Sequence, residues 1–135
     1  MEGTVRVKRA VVERMLEEAR QTPEGECCGL LAGREGVITA IFPAANALAS
    51  TTAYEIAPRD LFRVFREMRA AGLEHLGIYH SHPTGDNAPS SRDLERAYYP
   101  HVAWFILSPQ PDAPHPVRAF SIRDGKVEEL RVLAE

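Results

Sequence analysis

Two stretches with a helical apolar period are set among short apolar runs, and this alternation limits the folds open to the chain. Over residues 8–20, Val11, Val12, Met15, Leu16 and Ala19 recur at three and four positions, which puts them on one face of an α-helix. Gln21, Thr22 and Pro23 end that helix. A second helix begins at Pro58, whose fixed φ suits a first helical position. Leu61, Phe62, Val64, Phe65 and Met68 give it an apolar face, and Gly72 closes it. Around these lie runs of strand length at residues 4–7, 27–32, 37–42, 54–56, 75–82, 102–107, 117–122 and 126–132. Gly33-Arg34-Glu35-Gly36 and Asp124-Gly125 supply hairpin turns. Residues 43–52 and 83–89 read as loops, and a third helix is expected over residues 90–98. The order is not a regular strand–helix–strand winding. The expectation is therefore an α/β fold of the α+β kind, helices packed on a mixed sheet, with one domain over residues 1–135.

At 135 residues the chain is long enough to bury a core without disulfides, and its 44% apolar content supports one. The formal net charge of −3 provides no global basic field, so nucleic acid is not an expected partner. Cys27 and Cys28 are neighbours in sequence, too close for a structural disulfide, and read as packed interior thiols. Residues 1–9 are polar rather than a signal peptide, and no apolar run approaches the roughly 20 residues a membrane helix needs. The expected setting is a reducing cytoplasm, away from the membrane.

Chemistry concentrates in Gly77-Ile78-Tyr79-His80-Ser81-His82-Pro83. Residues i and i+2 of a strand share a face, so His80 and His82 would present both imidazoles to one cation. Pro83 then stops the strand, placing the pair where a loop can open to solvent. Asp93 follows near the start of the third helix. Two neutral imidazoles and a carboxylate leave a tetrahedral metal one open position, the pattern of a catalytic zinc with water in the fourth place. Ser90-Ser91-Arg92-Asp93 also fits a capping box, with Ser90 as the cap and Asp93 reaching back. Local spacing leaves Asp93 open to either role. It also leaves the general base open between Glu24 and Glu26, both of which precede the apolar run at 27–32.

These residues resemble the JAMM, or MPN-plus, metalloproteases, whose pattern is an upstream Glu, then H-x-H-P, then S-x-x-D. Glu26 is followed here, without gap in the second part, by His80-Ser81-His82-Pro83-Thr84-Gly85-Asp86-Asn87-Ala88-Pro89-Ser90-Ser91-Arg92-Asp93. The segment Glu26-Cys27-Cys28-Gly29-Leu30-Leu31-Ala32-Gly33 is similar to a block of the short stand-alone prokaryotic members. The resemblance implies that His80, His82 and Asp93 ligate one zinc ion carrying a water. It implies that Glu26 serves as base and later protonates the leaving amine, and that Ser90 helps hold the oxyanion. It further implies a curved β-sheet flanked by helices, similar to that of cytidine deaminases. The implied reaction is hydrolysis of a peptide or isopeptide bond, after the Gly-Gly of a ubiquitin-fold or sulfur-carrier protein. Such a tail could dock as an added strand on a sheet edge.

Two other readings stand beside this one. Two His and a carboxylate also describe non-haem iron enzymes of another class. Domains of the JAMM fold also serve as non-catalytic binding or scaffold modules, though this chain keeps the full set of ligand types and Glu26. Of the remaining residues, His75, His101 and His115 read as surface or loop positions, Trp104 as core, and Asn46 as a turn residue or an organiser of backbone near the cleft. Asp86 and Asn87 are expected in a mobile loop beside the site. The arginines between 59 and 69 are expected on a solvated helix face.

Overall fold

A computed structural model of the protein describes residues 3–48, 50, 52–84 and 86–135. Gly85, in the loop after the His pair, and positions 49 and 51, in the loop before the second helix, lie outside the described residues. The elements run β1 (Thr4–Val7), α1 (Arg9–Gln21), β2 (Cys28–Arg34), β3 (Val37–Ala44), α2 (Pro58–Ala71), β4 (Glu74–Ser81), α3 (Ser91–Glu95), β5 (Ala103–Leu107), β6 (Val117–Arg123) and β7 (Lys126–Ala134).

The strands are ordered β1-β3-β2-β4-β5-β6-β7, and β1 pairs in parallel with β7 to close the sheet into a barrel. β4 and β5 are also parallel, whereas the β2–β3, β2–β4, β5–β6 and β6–β7 pairs are antiparallel. The expected curved, mixed sheet with helices is present, its curvature carried through to closure. Every described strand has two neighbours along part of its length. No described strand is free along its whole length, while β3 pairs with β1 only at Val37 and Ile38.

Alternation along the strands sends side chains to opposite faces. Leu31, Tyr79, Phe105 and Ala119 pack with Val11, Met15 and Ala19 of α1. Leu30 and Ala32 pack with Val64 and Met68 of α2. Each fully buried Leu or Phe here contributes about 1.5–3 kcal/mol by leaving water.

The turns follow their sequence signals. Glu35-Gly36 and Asp124-Gly125 take positive φ at both positions, at 54° and 77° and at 51° and 75°, the geometry that joins two antiparallel strands tightly. Gly72 ends α2 in the left-handed region.

Two element expectations are corrected. Residues 54–56 do not form a strand; the segment is extended but joined to the rest by a single bridge, Asn46↔Ile56. The third helix stops at Glu95 rather than 98. Pro100 disfavours helical backbone at Tyr99, and the chain has already left the helix at Arg96.

Candidate metal centre

The β2–β4 register sets the site. Cys28 lies opposite His80, so the residues just before β2 run alongside the end of β4. Two bonds fix this meeting: Ser81 N donates to the Cys27 carbonyl at 3.1 Å, and Cys27 N donates to Ser81 Oγ at 2.9 Å. Ser81 points away from the two His side chains, as strand alternation demands, and ties the Glu26 segment to the strand that carries them. On the other side His82 N donates to the Leu107 carbonyl of β5 at 2.9 Å.

His80 Nε2 and His82 Nε2 are 3.2 Å apart. The Asp93 carboxylate reaches both: Oδ1 lies 3.2 Å from His80 Nε2 and Oδ2 lies 3.1 Å from His82 Nε2. A tetrahedral zinc ion with bonds of about 2.0–2.1 Å holds its ligand atoms about 3.3–3.4 Å apart. The two nitrogens thus stand at nearly the edge length of such a ligand set, and each has an Asp93 oxygen at a similar distance, Oδ1 for His80 and Oδ2 for His82. Glu26 is also close: one of its carboxylate oxygens and one nitrogen from each of His80 and His82 lie within 4.8 Å of one another. Geometry admits Glu26 or Asp93 as the third ligand. Asp93 is in direct contact with both rings, while Glu26 Oε1 is buried without a hydrogen-bond partner among the described residues. An unpartnered carboxylate oxygen facing the cluster suits a group that meets a water rather than the ion itself.

The electrostatics separate the two carboxylates in the same way. Burial raises the Asp93 pKa, but hydrogen bonds from His80 and His82 overcome it and hold the group well below the usual carboxylate range. Burial pushes Glu26 up to about 7, with the Asp93 charge adding to it and His82 and Arg92 opposing. One carboxylate is permanently anionic and the other can exchange a proton near neutrality, which suits a ligand and a base respectively. Burial keeps His80 neutral by lowering its pKa. In His82 burial acts in the same direction, but hydrogen bonds to Asp93 and to the Asp86 carbonyl outweigh it and raise the pKa. His82 Nδ1 donates to that carbonyl at 2.8 Å, which leaves the Nε2 lone pair for a metal.

The capping box and the ligand cluster coexist. Ser90 N donates to Asp93 Oδ2 at 2.9 Å, and Asp93 N donates to Ser90 Oγ at 3.1 Å. The two roles left open by spacing are filled by one side chain, because a carboxylate has lone pairs enough for the cap and the imidazoles. Ser90 is exposed, and its hydroxyl proton is not spent on the cap.

The structure thus brings together Glu26, His80, His82, Ser90 and Asp93. Glu24 takes no part: it is exposed, whereas Glu26 is 4% exposed. Other expectations need correction. Asn87 is buried and donates to the Ile106 and His115 carbonyls, so the stretch at Asp86 and Asn87 is anchored rather than mobile. His75 lies on β4 and is half-buried against the edges of the Phe65 and Tyr99 rings. Cys27 and Cys28 are buried thiols, each pushed up to about 12 by burial, as packed interior residues should be.

Sequence reasoning missed Tyr54, whose ring stacks on His80 with centroids 4.3 Å apart and planes 19° from parallel. Nothing in its spacing marks it. Asn46 was legible as a turn residue or an organiser of backbone near the cleft, and its amide bonds the backbone of Glu26, Leu48, Ala53 and Glu55.

Prok-JAB, the family described as prokaryotic homologs of the JAB domain, matches residues 8–123. A desampylase from Haloferax volcanii is 36% identical over 103 residues, covering 74% of this chain and 74% of that protein. A CysO-cysteine peptidase from Mycobacterium tuberculosis is 33% identical over 132 residues, covering 94% and 90%. Among solved structures, protein DSY2949 from Desulfitobacterium hafniense superposes with a TM-score of 0.87 at 30% identity, covering 98% of this chain and 93% of that one.

Proposed function

The chain belongs to the family of prokaryotic homologues of the JAB domain, a JAMM-type hydrolytic enzyme, and we propose that it is a zinc-dependent peptidase with the metal held by His80, His82 and Asp93. The observation that carries this reading is the convergence of three side chains: the two imidazole nitrogens stand 3.2 Å apart, and each lies 3.1–3.2 Å from one oxygen of Asp93. Two buried imidazoles beside an ionised carboxylate form a donor set zinc accepts. When bound, zinc supplies Lewis acidity at the scissile carbonyl and makes a water nucleophile available near neutral pH.

The chain's own residues do the rest. Glu26 takes the proton of the attacking water and delivers it to the leaving nitrogen, so one carboxyl group acts as base and then as acid. A carboxyl with a pKa near 7 suits both halves of that transfer. The Ser90 hydroxyl donates to the oxyanion. Asp93, fixed by its cap bonds, would hold the ion together with the two imidazoles. Residues 1–135 act as one domain.

The substrate in this reading is a ubiquitin-fold or sulfur-carrier protein joined through its Gly-Gly end to an amine. Relatives named as a desampylase and as a CysO-cysteine peptidase support that class. Two glycines suit a buried site because they bring no side chains into it. The test is incubation of the zinc-loaded protein with a small β-grasp carrier linked through Gly-Gly, read by mass spectrometry. Cleavage after the second Gly, abolished by a chelator and absent in His80→Ala, is expected. Cleavage that persists in His80→Ala and in chelator overturns the reading.

A further inference from the structure

The two imidazoles of the cluster are held in different ways. His82 has the support a metal-ligating histidine ordinarily has, a hydrogen bond from its second nitrogen to a carbonyl. His80 does not: its Nδ1 is buried with no hydrogen-bond partner among the described residues, in a side chain 1% exposed. The ring contact that defines its plane is Tyr54, stacked at 4.3 Å and 19°.

Tyr54 belongs to no strand, so something must hold it. That is the Asn46 side chain. Its Nδ2 donates to the Ala53 carbonyl at 3.1 Å, and its Oδ1 accepts from Glu55 N at 3.1 Å, so the residues on both sides of Tyr54 are gripped by one amide. The same Nδ2 donates to the Glu26 carbonyl at 3.0 Å, and the same Oδ1 accepts from Leu48 N at 3.0 Å. Every hydrogen-bonding direction of the amide is used. One side chain thus fixes the backbone of Glu26 and the backbone around the ring that orients His80. Tyr54 also borders a cavity of about 320 Å³ lined by Ile56, Leu61, Ile78 and Trp104. The stack depends on how the Tyr54 backbone is held.

We propose that Asn46 and Tyr54 form one positioning unit, in which the amide sets the Tyr54 backbone and the Tyr54 ring, in place of a hydrogen bond to Nδ1, sets the plane of His80 for metal binding. Neither residue touches substrate; both act through His80 and Glu26. The proposal rests on the reading of His80 as a ligand.

The experiment compares Tyr54→Phe, Tyr54→Leu and Asn46→Ala with the wild type and with His80→Ala. Affinity is read by chelator competition, and ligand geometry by the visible absorption spectrum of the cobalt-substituted protein. Tyr54→Phe keeps the stack and should bind metal within about twofold of wild type. Tyr54→Leu and Asn46→Ala should weaken binding about 10–100-fold, the range for loss of an outer-shell support, and alter the cobalt spectrum. Far-ultraviolet circular dichroism confirms folding, and Tyr54→Trp, which restores a ring, should recover affinity if Tyr54→Leu is unstable. Wild-type affinity and spectrum in Tyr54→Leu, with binding lost in His80→Ala, overturn this proposal and leave the metal site standing. Unchanged binding in His80→Ala overturns the metal site itself. Loss in Tyr54→Phe equal to that in Tyr54→Leu would assign the effect to the hydroxyl and refute the stack.

Discussion

At the scale of single residues, one carboxylate both closes a helix cap and contacts two imidazoles, while a second, Glu26, is buried beside them with an oxygen left without a partner among the described residues. Asp93 closes the capping box of α3 and contacts both imidazoles, so Asp93→Ala should release the metal and also leave Ser90 N without its partner, a hydrogen bond worth about 1 kcal/mol. Metal content after dialysis and the melting temperature of the metal-free protein measure the two losses separately. Glu26→Gln keeps the shape and the ligands but cannot take a proton, so it should retain zinc while turnover falls by about 10²–10⁴. Turnover of a Gly-Gly conjugate alongside metal analysis checks this. A pH effect follows from His75, which burial lowers from its ordinary 6.5 to about 4. Between those values the unfolded chain binds a proton that the folded chain refuses, so stability falls as pH drops through this window. Urea unfolding at pH 7 and pH 4.5 should show a smaller loss in His75→Gln than in wild type. The residues of the centre were legible because the His-x-His-Pro and Ser-x-x-Asp segments are local. Tyr54 was not, because its contact with His80 depends on where an irregular loop is fastened, and that fastening is made by Asn46 across the loop.

At the scale of elements, the strands and the two long helices follow from period and turn chemistry, and their bounds were readable nearly to the residue. What was not readable is the register. Cys28 opposite His80 brings Glu26 to the cluster, and a one-residue slip would send it to the other face. Gly29 guards that register. A Cβ there would lie 2.5 Å from the Tyr79 ring and hydroxyl and 2.6 Å from the Phe42 carbonyl. Tyr79 cannot yield easily, because its hydroxyl donates to Glu18 and its ring is fully buried. Gly29→Ala should therefore cost about 1–3 kcal/mol by overpacking, seen as a lower urea midpoint. Because the displaced strands are β2 and β4, it should weaken metal binding as well. The short α3 shows the opposite limit of sequence reading: its start was marked by the capping box, whereas nothing in the sequence marks its end at Glu95, before Pro100 comes to bear on Tyr99.

At the scale of the whole molecule, the proposed donors come from the end of β4 and the start of α3, two segments that folding brings together. A metal that binds the native protein stabilises it by mass action, about 2.7 kcal/mol at a free concentration 100 times its dissociation constant. Zinc should raise the melting temperature of the wild type and leave that of Asp93→Ala nearly unchanged in a calorimeter. The closure of the sheet was the least legible feature. Nothing in residues 4–7 or 126–134 announces that these strands meet, since parallel pairing leaves no turn signal between them. Yet β1 lies along β7 from Thr4↔Arg131 to Val7↔Ala134, and Arg6 pairs with Glu135, 129 positions away in the chain. That seam also sets an order of events during synthesis. Every residue of the metal centre leaves the ribosome before β7 does, so the ligands can gather while the barrel is still open, and the slow, long-range step of folding is the last one. A nascent chain of this protein could hold its ion before it has finished becoming a barrel.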